Sequence, residues 1–546
     1  MLRSRGLAAP SLKIWAAVAA IALAVHLGGY PLLDADEGRN AEVAREMAAT
    51  NDYVMPRLDG MPYLDKPVVY FAAEAAAMEV LGPTEVAARL PAYLFTLATA
   101  ALLFWFARRL WGDEEAWIAV IVFLSIPLTM AFARTVIFDS ALTFFIVLAI
   151  VAFYFAIETR RRRWSTLAWA AIALGVLTKG PVAIVLPLLV ALPYAWRRKA
   201  LGKLWSIGGL LAFIAIVAPW VWAVSQVVPE FLEYVVVTET AARLATDELK
   251  RTGPPWYFLP YVLGGALPWS IVLIAGWREL RKRDNTLLFL LLWVAVPLVF
   301  FSLSQSKRPQ YILPLMPPIA LLVAHVWRSD RRVRGTRAAG ALAAAIGAVF
   351  LVAPLVLHRT KMQPDIAAVA DNVAIALGIA WLGAGIAAIV LARKPRAALI
   401  ALTIPVLSIP VLANPLMRAL GERRSAHAFA AHLEPHLTPD TQIVGVEAFT
   451  GSMAFYLRRP IVLASEDASE LTSNYLIRRF DKFANDPHSS LRRIEWFGWN
   501  LEQCCVRRVY VVRNQDVKWQ RILEQRGLRP IARGTHHVAY GPYTGP

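Results

Sequence analysis

Apolar stretches recur along the chain at about 15–30, 90–107, 116–132, 140–157, 166–178, 181–195, 205–225, 258–277, 286–303, 310–327, 338–357, 372–392 and 397–413, separated by short polar breaks. Runs near the roughly 20 residues needed to cross a bilayer predict thirteen membrane helices, so 1–413 reads as one transmembrane domain. Several runs are shorter than an untilted span, notably the pair broken at Thr178-Lys179-Gly180-Pro181, and the count is good to about one helix. The first run has a basic leader with Arg3 and Arg5. Because Gly28-Gly29-Tyr30 offers no small-x-small cleavage site and more spans follow, it reads as an anchor and not a removed signal peptide.

Beyond Asn414-Pro415 the apolar runs shorten and polar residues return. Gln442-Ile443-Val444-Gly445-Val446, Pro460-Ile461-Val462-Leu463 and Arg508-Val509-Tyr510-Val511-Val512 read as short buried strands, with helices near 426–433 and 517–527. A small α/β domain over 414–546 follows.

Lysine and arginine set the orientation. Arg108-Arg109, Arg160 to Arg163, Arg197-Arg198-Lys199, Arg281-Lys282-Arg283, Arg328 to Arg337 and Arg393-Lys394-Arg396 fall on alternate loops, the same side as the N-terminus. That side is expected to be cytoplasmic. The loops 31–89 and 226–257 then face outward with the C-terminal domain, so the candidate site and the tail are expected on the outer side of the membrane. Loop 31–89 carries eleven acidic residues against five basic ones.

Composition agrees with this pattern. Of 546 residues 58% are hydrophobic and only 18% charged, with a mean hydropathy of +0.49, too apolar for a soluble enzyme of this size. The formal net charge of +18 is mostly positive-inside bias. Its basic clusters are dispersed among apolar spans and form no single stripe, so no nucleic-acid partner is expected. Cys504 and Cys505 cannot supply a disulfide framework and read as two free thiols.

Candidate chemistry gathers in the outward loops. Loop 31–89 is too long for a simple connector. It opens with Asp34-Ala35-Asp36-Glu37-Gly38-Arg39 and continues as a helical pattern with Val43, Ala44 and Met47 on one face and Glu42, Arg45 and Glu46 on the other, which predicts a helix lying on the membrane surface. Helix capping is the competing account of Asp34 and Asp36, and Asp34 has Glu37 at capping-box spacing. Further on, Pro56-Arg57-Leu58-Asp59-Gly60 and Tyr63-Leu64-Asp65-Lys66-Pro67 interleave aromatic and cationic groups. Such a loop can hold a phosphate at the interface, Lys66 as a point charge and Tyr63 as a hydroxyl donor. Loop 226–257, with Arg251, offers the other jaw of an anion clamp. Arg134 and Asp139 place an ionisable pair at the outer interface, where charge is costly, so it marks either a functional site or a mutual ion pair. Tyr311 stands where the tenth run begins.

Taken in order, Asp36-Glu37-Gly38-Arg39, Ala44-Arg45-Glu46-Met47, Pro56-Arg57-Leu58-Asp59-Gly60, Tyr63-Leu64-Asp65-Lys66-Pro67, Ala88-Arg89-Leu90-Pro91, Leu177-Thr178-Lys179-Gly180-Pro181 and Tyr311-Ile312-Leu313-Pro314 resemble the GT-C glycosyltransferases, in the branch of protein O-mannosyltransferases and bacterial lipid A 4-amino-4-deoxy-L-arabinose transferases. Over the C-terminal domain the resemblance rests mainly on Ala454-Phe455-Tyr456-Leu457-Arg458-Arg459-Pro460. Asp65 departs from the pattern, which has glutamate before Lys-Pro.

The resemblance implies a polytopic GT-C fold and an inverting transfer from an undecaprenyl phosphate-linked aminosugar to lipid A, with resistance to cationic peptides such as polymyxin as its outcome. Among membrane lipids the chain is expected to act as a monomer. It further implies Asp36 and Asp139 as the catalytic carboxylates, with Lys66, Arg251, Tyr63, Tyr311, Arg39 and Glu37 binding the donor phosphate and substrate. Asp36 serves either as a base or as the ligand of the sugar's amine. No cofactor is expected, and a divalent metal stays open. Two other readings compete: a mannosyltransferase acting on protein hydroxyls, and a lipid-sugar flippase without chemistry. Against the second, the ionisable residues gather in outer loops and no internal repeat is present.

Overall fold

In the computed structural model, which describes residues 10–234, 253–282, 284–357 and 364–545, every one of the thirteen apolar runs is helical. Among the described residues, eight helices are long and apolar enough to cross a membrane singly, and up to ten if each of two bent pairs counts as one span. The chain is a membrane protein with the helical architecture its hydropathy predicts.

The chain folds as two compact units, Met1–Leu27 with Pro91–Leu416, and Gly28–Leu90 with Met417–Pro546. The division expected at 413/414 therefore differs in one respect: the first long loop forms one unit with the C-terminal segment.

In the helical unit, Pro309–Trp327 and Asp139–Thr159 are the most enclosed of the long helices described, with 89% and 83% of their apolar windows buried, whereas only 11% of that of Ile207–Val227 is covered by protein. The first bent pair turns by 66° between Asp113–Leu124 and Pro127–Ala133. Pro127 cannot donate to the preceding turn, and Ser125 Oγ fills the break by donating to the Ile121 carbonyl while accepting from Trp269 Nε1 at 3.1 Å. Helices Arg332–Leu357 and Pro364–Val390 pack through glycines. A Cβ on Gly347 would lie 2.4 Å from Leu382 N, so this approach requires glycine.

The α/β unit is built on a six-stranded sheet. Its strands β3 (Gln442–Val446), β4 (Ile461–Ser465), β5 (Leu491–Arg493) and β6 (Arg508–Arg513) are parallel, β8 (His537–Tyr543) adds antiparallel to β6, and β7 (Pro530–Arg533) adds antiparallel to β8, in the order β5-β4-β3-β6-β8-β7. The three strands read from sequence are β3, β4 and β6, and helices His427–Leu433 and Val517–Gln525 fall where expected. Cys504 and Cys505 are exposed free thiols.

From the first loop this unit takes helix Asp36–Thr50, a two-residue hairpin between β1 (Arg57–Leu58) and β2 (Met61–Pro62), and helix Val69–Leu81. Asp59 and Gly60 turn the hairpin with φ of 54° and 78°, the left-handed pair that such a turn needs. Helix Asp36–Thr50 does not lie with a polar face in solvent. Glu42 is 1% exposed and bonds Arg45 through both oxygens at 2.7 Å, while Glu46 accepts the backbone N–H groups of Asp59 and Gly60. Burial pushes the Glu42 carboxyl up to about 8 against the lowering influence of Arg45, and pushes Glu46 and Asp59 up as well. The polar face expected in solvent is thus corrected to one enclosed within the unit, its acidic side spent on hydrogen bonds there.

Candidate active site

The start of helix Asp36–Thr50 is fixed by a glycine crossing. A Cβ on Gly38 would meet Ser452 N at 2.4 Å, and one on Gly451 would meet Arg39 N at 2.2 Å, so the backbones of this helix and of Gly451–Leu457 touch where both lack side chains. Asp34 secures the contact: it accepts from Ser452 N at 3.0 Å and from the Ser452 hydroxyl, and its own N–H donates to the Arg424 carbonyl. Capping is therefore the wrong account of both aspartates. The cap position is Ala35, without a side-chain cap bond. Asp34 clamps the neighbouring segment, and Asp36 is the first helical residue, its side chain half-exposed.

From that position Asp36 Oδ1 accepts from Arg39 Nη2 at 2.8 Å. Arg39 Nη1 donates to the Thr472 carbonyl at 3.0 Å and to its hydroxyl at 2.7 Å, and the guanidinium lies 5.8 Å from the Tyr63 ring. Burial works against the charge of Arg39, but Tyr63, Asp36 and Asp65 outweigh it and hold its pKa above the usual value. Tyr63 is 1% exposed, its ring edge-on to Phe71. Asp65 accepts from Asn474 N at 2.9 Å and Tyr475 N at 3.0 Å, so its short carboxylate anchors the strand-to-helix loop. Half-buried Lys66 donates to the Asp65 carbonyl at 2.5 Å. Asp36, Arg39 and Tyr63 are thus brought together, with Lys66 one residue beyond the Asp65 carboxylate that acts on Arg39.

Glu37 has a different setting. It accepts from Arg89 Nε at 3.1 Å and Nη2 at 2.8 Å and from Leu33 N, and Arg89, fully buried, also donates to the carbonyls of Tyr30 and Pro31 with its guanidinium 3.8 Å from the Tyr30 ring. This pair fixes the course of the chain into Asp34-Ala35-Asp36. The Ala88-Arg89-Leu90-Pro91 motif carried that signal without its role.

In the helical unit Asp139 opens Asp139–Thr159, buried, and accepts from Lys179 Nζ at 2.6 Å. Among the described residues its other oxygen, Oδ2, is buried without a hydrogen-bond partner. Lys179 Nζ in turn lies 5.2 Å from the Tyr311 ring, and the Tyr311 hydroxyl is 3.4 Å from Ser306 Oγ. The Arg134–Asp139 ion pair is thereby replaced by Lys179–Asp139. Arg134 donates instead to the carbonyls of Leu23, Val25 and His26, closing the end of the first helix. Lys179 is the site residue that sequence reasoning missed. Arg251 lies outside the described residues, as does most of loop 226–257. Among the described residues no three His, Cys, Asp or Glu side chains are grouped to hold a metal ion.

A family model described as dolichyl-phosphate-mannose-protein mannosyltransferase matches residues 65–222. An undecaprenyl phosphate-alpha-4-amino-4-deoxy-L-arabinose arabinosyl transferase of Pseudomonas fluorescens is 36% identical over 299 residues, 53% of this chain and 54% of that protein. A protein of the same name from Shewanella sediminis is 30% identical over 348 residues, 62% of this chain and 64% of its own length. The chain thus spans a little over half the length of the curated relatives it matches. Similarity of structure extends further: ArnT from Cupriavidus metallidurans, in a crystal structure bound to undecaprenyl phosphate, superposes with a TM-score of 0.87 at 25% identity, covering 99% of this chain and 100% of that one.

Proposed function

We infer that this chain, a GT-C-fold relative of the bacterial aminoarabinose transferases, transfers 4-amino-4-deoxy-L-arabinose from undecaprenyl phosphate to a lipid A phosphate at the periplasmic face of the inner membrane. One observation carries the reading: near-complete structural correspondence to a protein bound to undecaprenyl phosphate.

The chain's own residues suit such a transfer. Lys66, beside Tyr63, offers an ammonium to a polyprenyl phosphate, and Arg251 is its proposed second cation. A charge-assisted contact of this kind stabilises the phosphate most as it departs with its full charge. Asp36, half-exposed and oriented by Arg39, faces the positive charge that grows on a sugar ring in an oxocarbenium-like transition state, and can also hold the protonated amine of the aminosugar. Asp139 remains the second proposed carboxylate. The Lys179 ammonium holds one of its oxygens, with Tyr311 against the same ammonium. Because a phosphate acceptor is already an anionic nucleophile, neither aspartate needs to take a proton in this reaction.

The match over residues 65–222 favours one alternative, transfer to a protein hydroxyl. A hydroxyl needs a base, and Asp36 would then supply it. Assaying lipid A and a serine/threonine peptide side by side as acceptors, with the matching lipid-linked sugars, separates the two.

A further inference from the structure

The α/β unit carries a half-open cavity of about 580 Å³ lined from the segments that follow β3, β4 and β6. Its position follows from the topology. The chain leaves β3 for β4 on one side of the sheet and returns as β6 on the other, so the strand order reverses between β3 and β6. Open parallel sheets bind their ligands in the crevice that such a reversal opens at the carboxyl ends of the strands.

The cavity walls set the guanidinium groups of Arg424 and Arg513 and the imidazole of His536 against the carboxyl groups of Asp34 and Glu470. Both acids are already engaged. Asp34 is bonded to Ser452 and pushed up by burial, and Glu470 accepts from Ser465 at 2.7 Å and from Arg513 at 3.4 Å. Arg424 is exposed, and its guanidinium has no hydrogen-bond or ion-pair partner among the described residues. His536 Nε2 donates to the Arg423 carbonyl at 2.8 Å, which leaves Nδ1 to accept from a ligand hydroxyl. Hydroxyl and amide groups from Thr450, Ser469, Thr535 and Gln515 line the rest, with the rings of Phe429 and Phe449. A cation without a counter-ion, a second ring nitrogen, several neutral polar groups and aromatic surface together suit a phosphorylated saccharide.

The cavity also borders the reacting residues. Asp34 and Ala35 form part of its wall, and Asp36 follows them directly. Thr472, another wall residue, takes both bonds from Arg39 Nη1, whose other nitrogen holds Asp36. We propose that this cavity receives the phosphorylated saccharide headgroup of the acceptor and delivers it to Asp36, with Arg424 on a phosphate and His536 Nδ1 accepting from a sugar hydroxyl. The identity of that headgroup rests on the functional reading above; the cavity's affinity for a phosphosugar does not.

The test uses the full chain in lipid nanodiscs. The probes are the acyl-free diphosphorylated glucosamine disaccharide, glucosamine 6-phosphate and inorganic phosphate. Wild type should bind the disaccharide, and Arg424→Glu combined with His536→Ala should weaken binding by about tenfold or more, at an unchanged thermal midpoint. The same variant should raise KM for lipid A by a similar factor while KM for the donor and kcat stay as in wild type. Equal disaccharide binding by wild type and variant, or no binding by either, overturns the proposal. So does a free sugar phosphate or inorganic phosphate that binds as tightly as the disaccharide without any change in KM for lipid A, since the site would then take a free ligand. If no aminosugar is transferred and yet Arg424-dependent binding persists, the phosphosugar site stands and the functional reading fails. Transfer at unaltered KM for lipid A in the variant leaves that reading standing and removes the cavity from it.

Discussion

At the residue scale, Lys66 carries the sharpest expectation. Its backbone is anchored, with Asp65 bonded to two backbone amides and Tyr63 enclosed, and its ammonium donates to the Asp65 carbonyl. Removing one partner of a desolvated phosphate contact costs about 2–5 kcal/mol. Lys66→Ala should abolish transfer at low donor concentration and leave the thermal midpoint unchanged; near wild-type turnover would move the phosphate clamp elsewhere. Asp36→Asn and Asp139→Asn address the carboxylates. Loss of both donor binding and transfer indicates that the amine is held, whereas loss of transfer with donor binding intact indicates a base. Full activity in both removes them from the centre. Asp139 was legible because an ionisable group at a membrane interface is costly and asks for a partner. The partner was not, because Lys179 stands 40 residues away in sequence while Arg134 is close by. Sequence proximity suggested a pair that the fold assigns to different duties.

Helix Asp36–Thr50 shows what an element adds to its residues. Its apolar face was legible from spacing, but its polar face was misread, since charged residues on one side of a helix ordinarily face water. Here the hairpin turn at Asp59-Gly60 closes over that side, and Glu42, Glu46 and Asp59 share one enclosed region with Arg45. Burial raises the folded pKa of Glu42 from 4.5 to about 8. A raised folded pKa means that the folded state binds more protons than the unfolded one between those values, so the contribution of Glu42 is complete below about 4.5 and is lost as pH rises through about 8. The thermal midpoint should therefore fall between pH 5 and 8, and Glu42→Gln should flatten that slope in a pH series of melts. An identical slope in the variant would assign the dependence to other groups. The glycine crossing of Gly38 with Gly451 was invisible for a simpler reason: the two glycines are far apart in sequence, and a lone glycine in a helical pattern reads only as a weak position.

For the whole molecule, the apolar runs were legible because any helix in hydrocarbon must satisfy its backbone internally and offer apolar side chains outward, which leaves a strong pattern in sequence. All thirteen are helical. Strands β3, β4 and β6 were legible for a related reason, being short apolar runs in the centre of a sheet. By contrast β5 has three residues and β8 contains Gly541-Pro542, and neither gives a strand pattern. The alternation of basic loops predicts that the C-terminus is periplasmic. An alkaline phosphatase fused there should be active in cells; activity only from a cytoplasmic reporter would put the proposed site on the wrong face of the membrane. The central claim is the transfer itself. Purified chain, reconstituted with undecaprenyl phosphate carrying radiolabelled 4-amino-4-deoxy-L-arabinose and offered lipid A or a serine/threonine peptide, should move label to lipid A alone and lose that activity in Lys66→Ala. Label appearing on the peptide, or none leaving the donor, would contradict it.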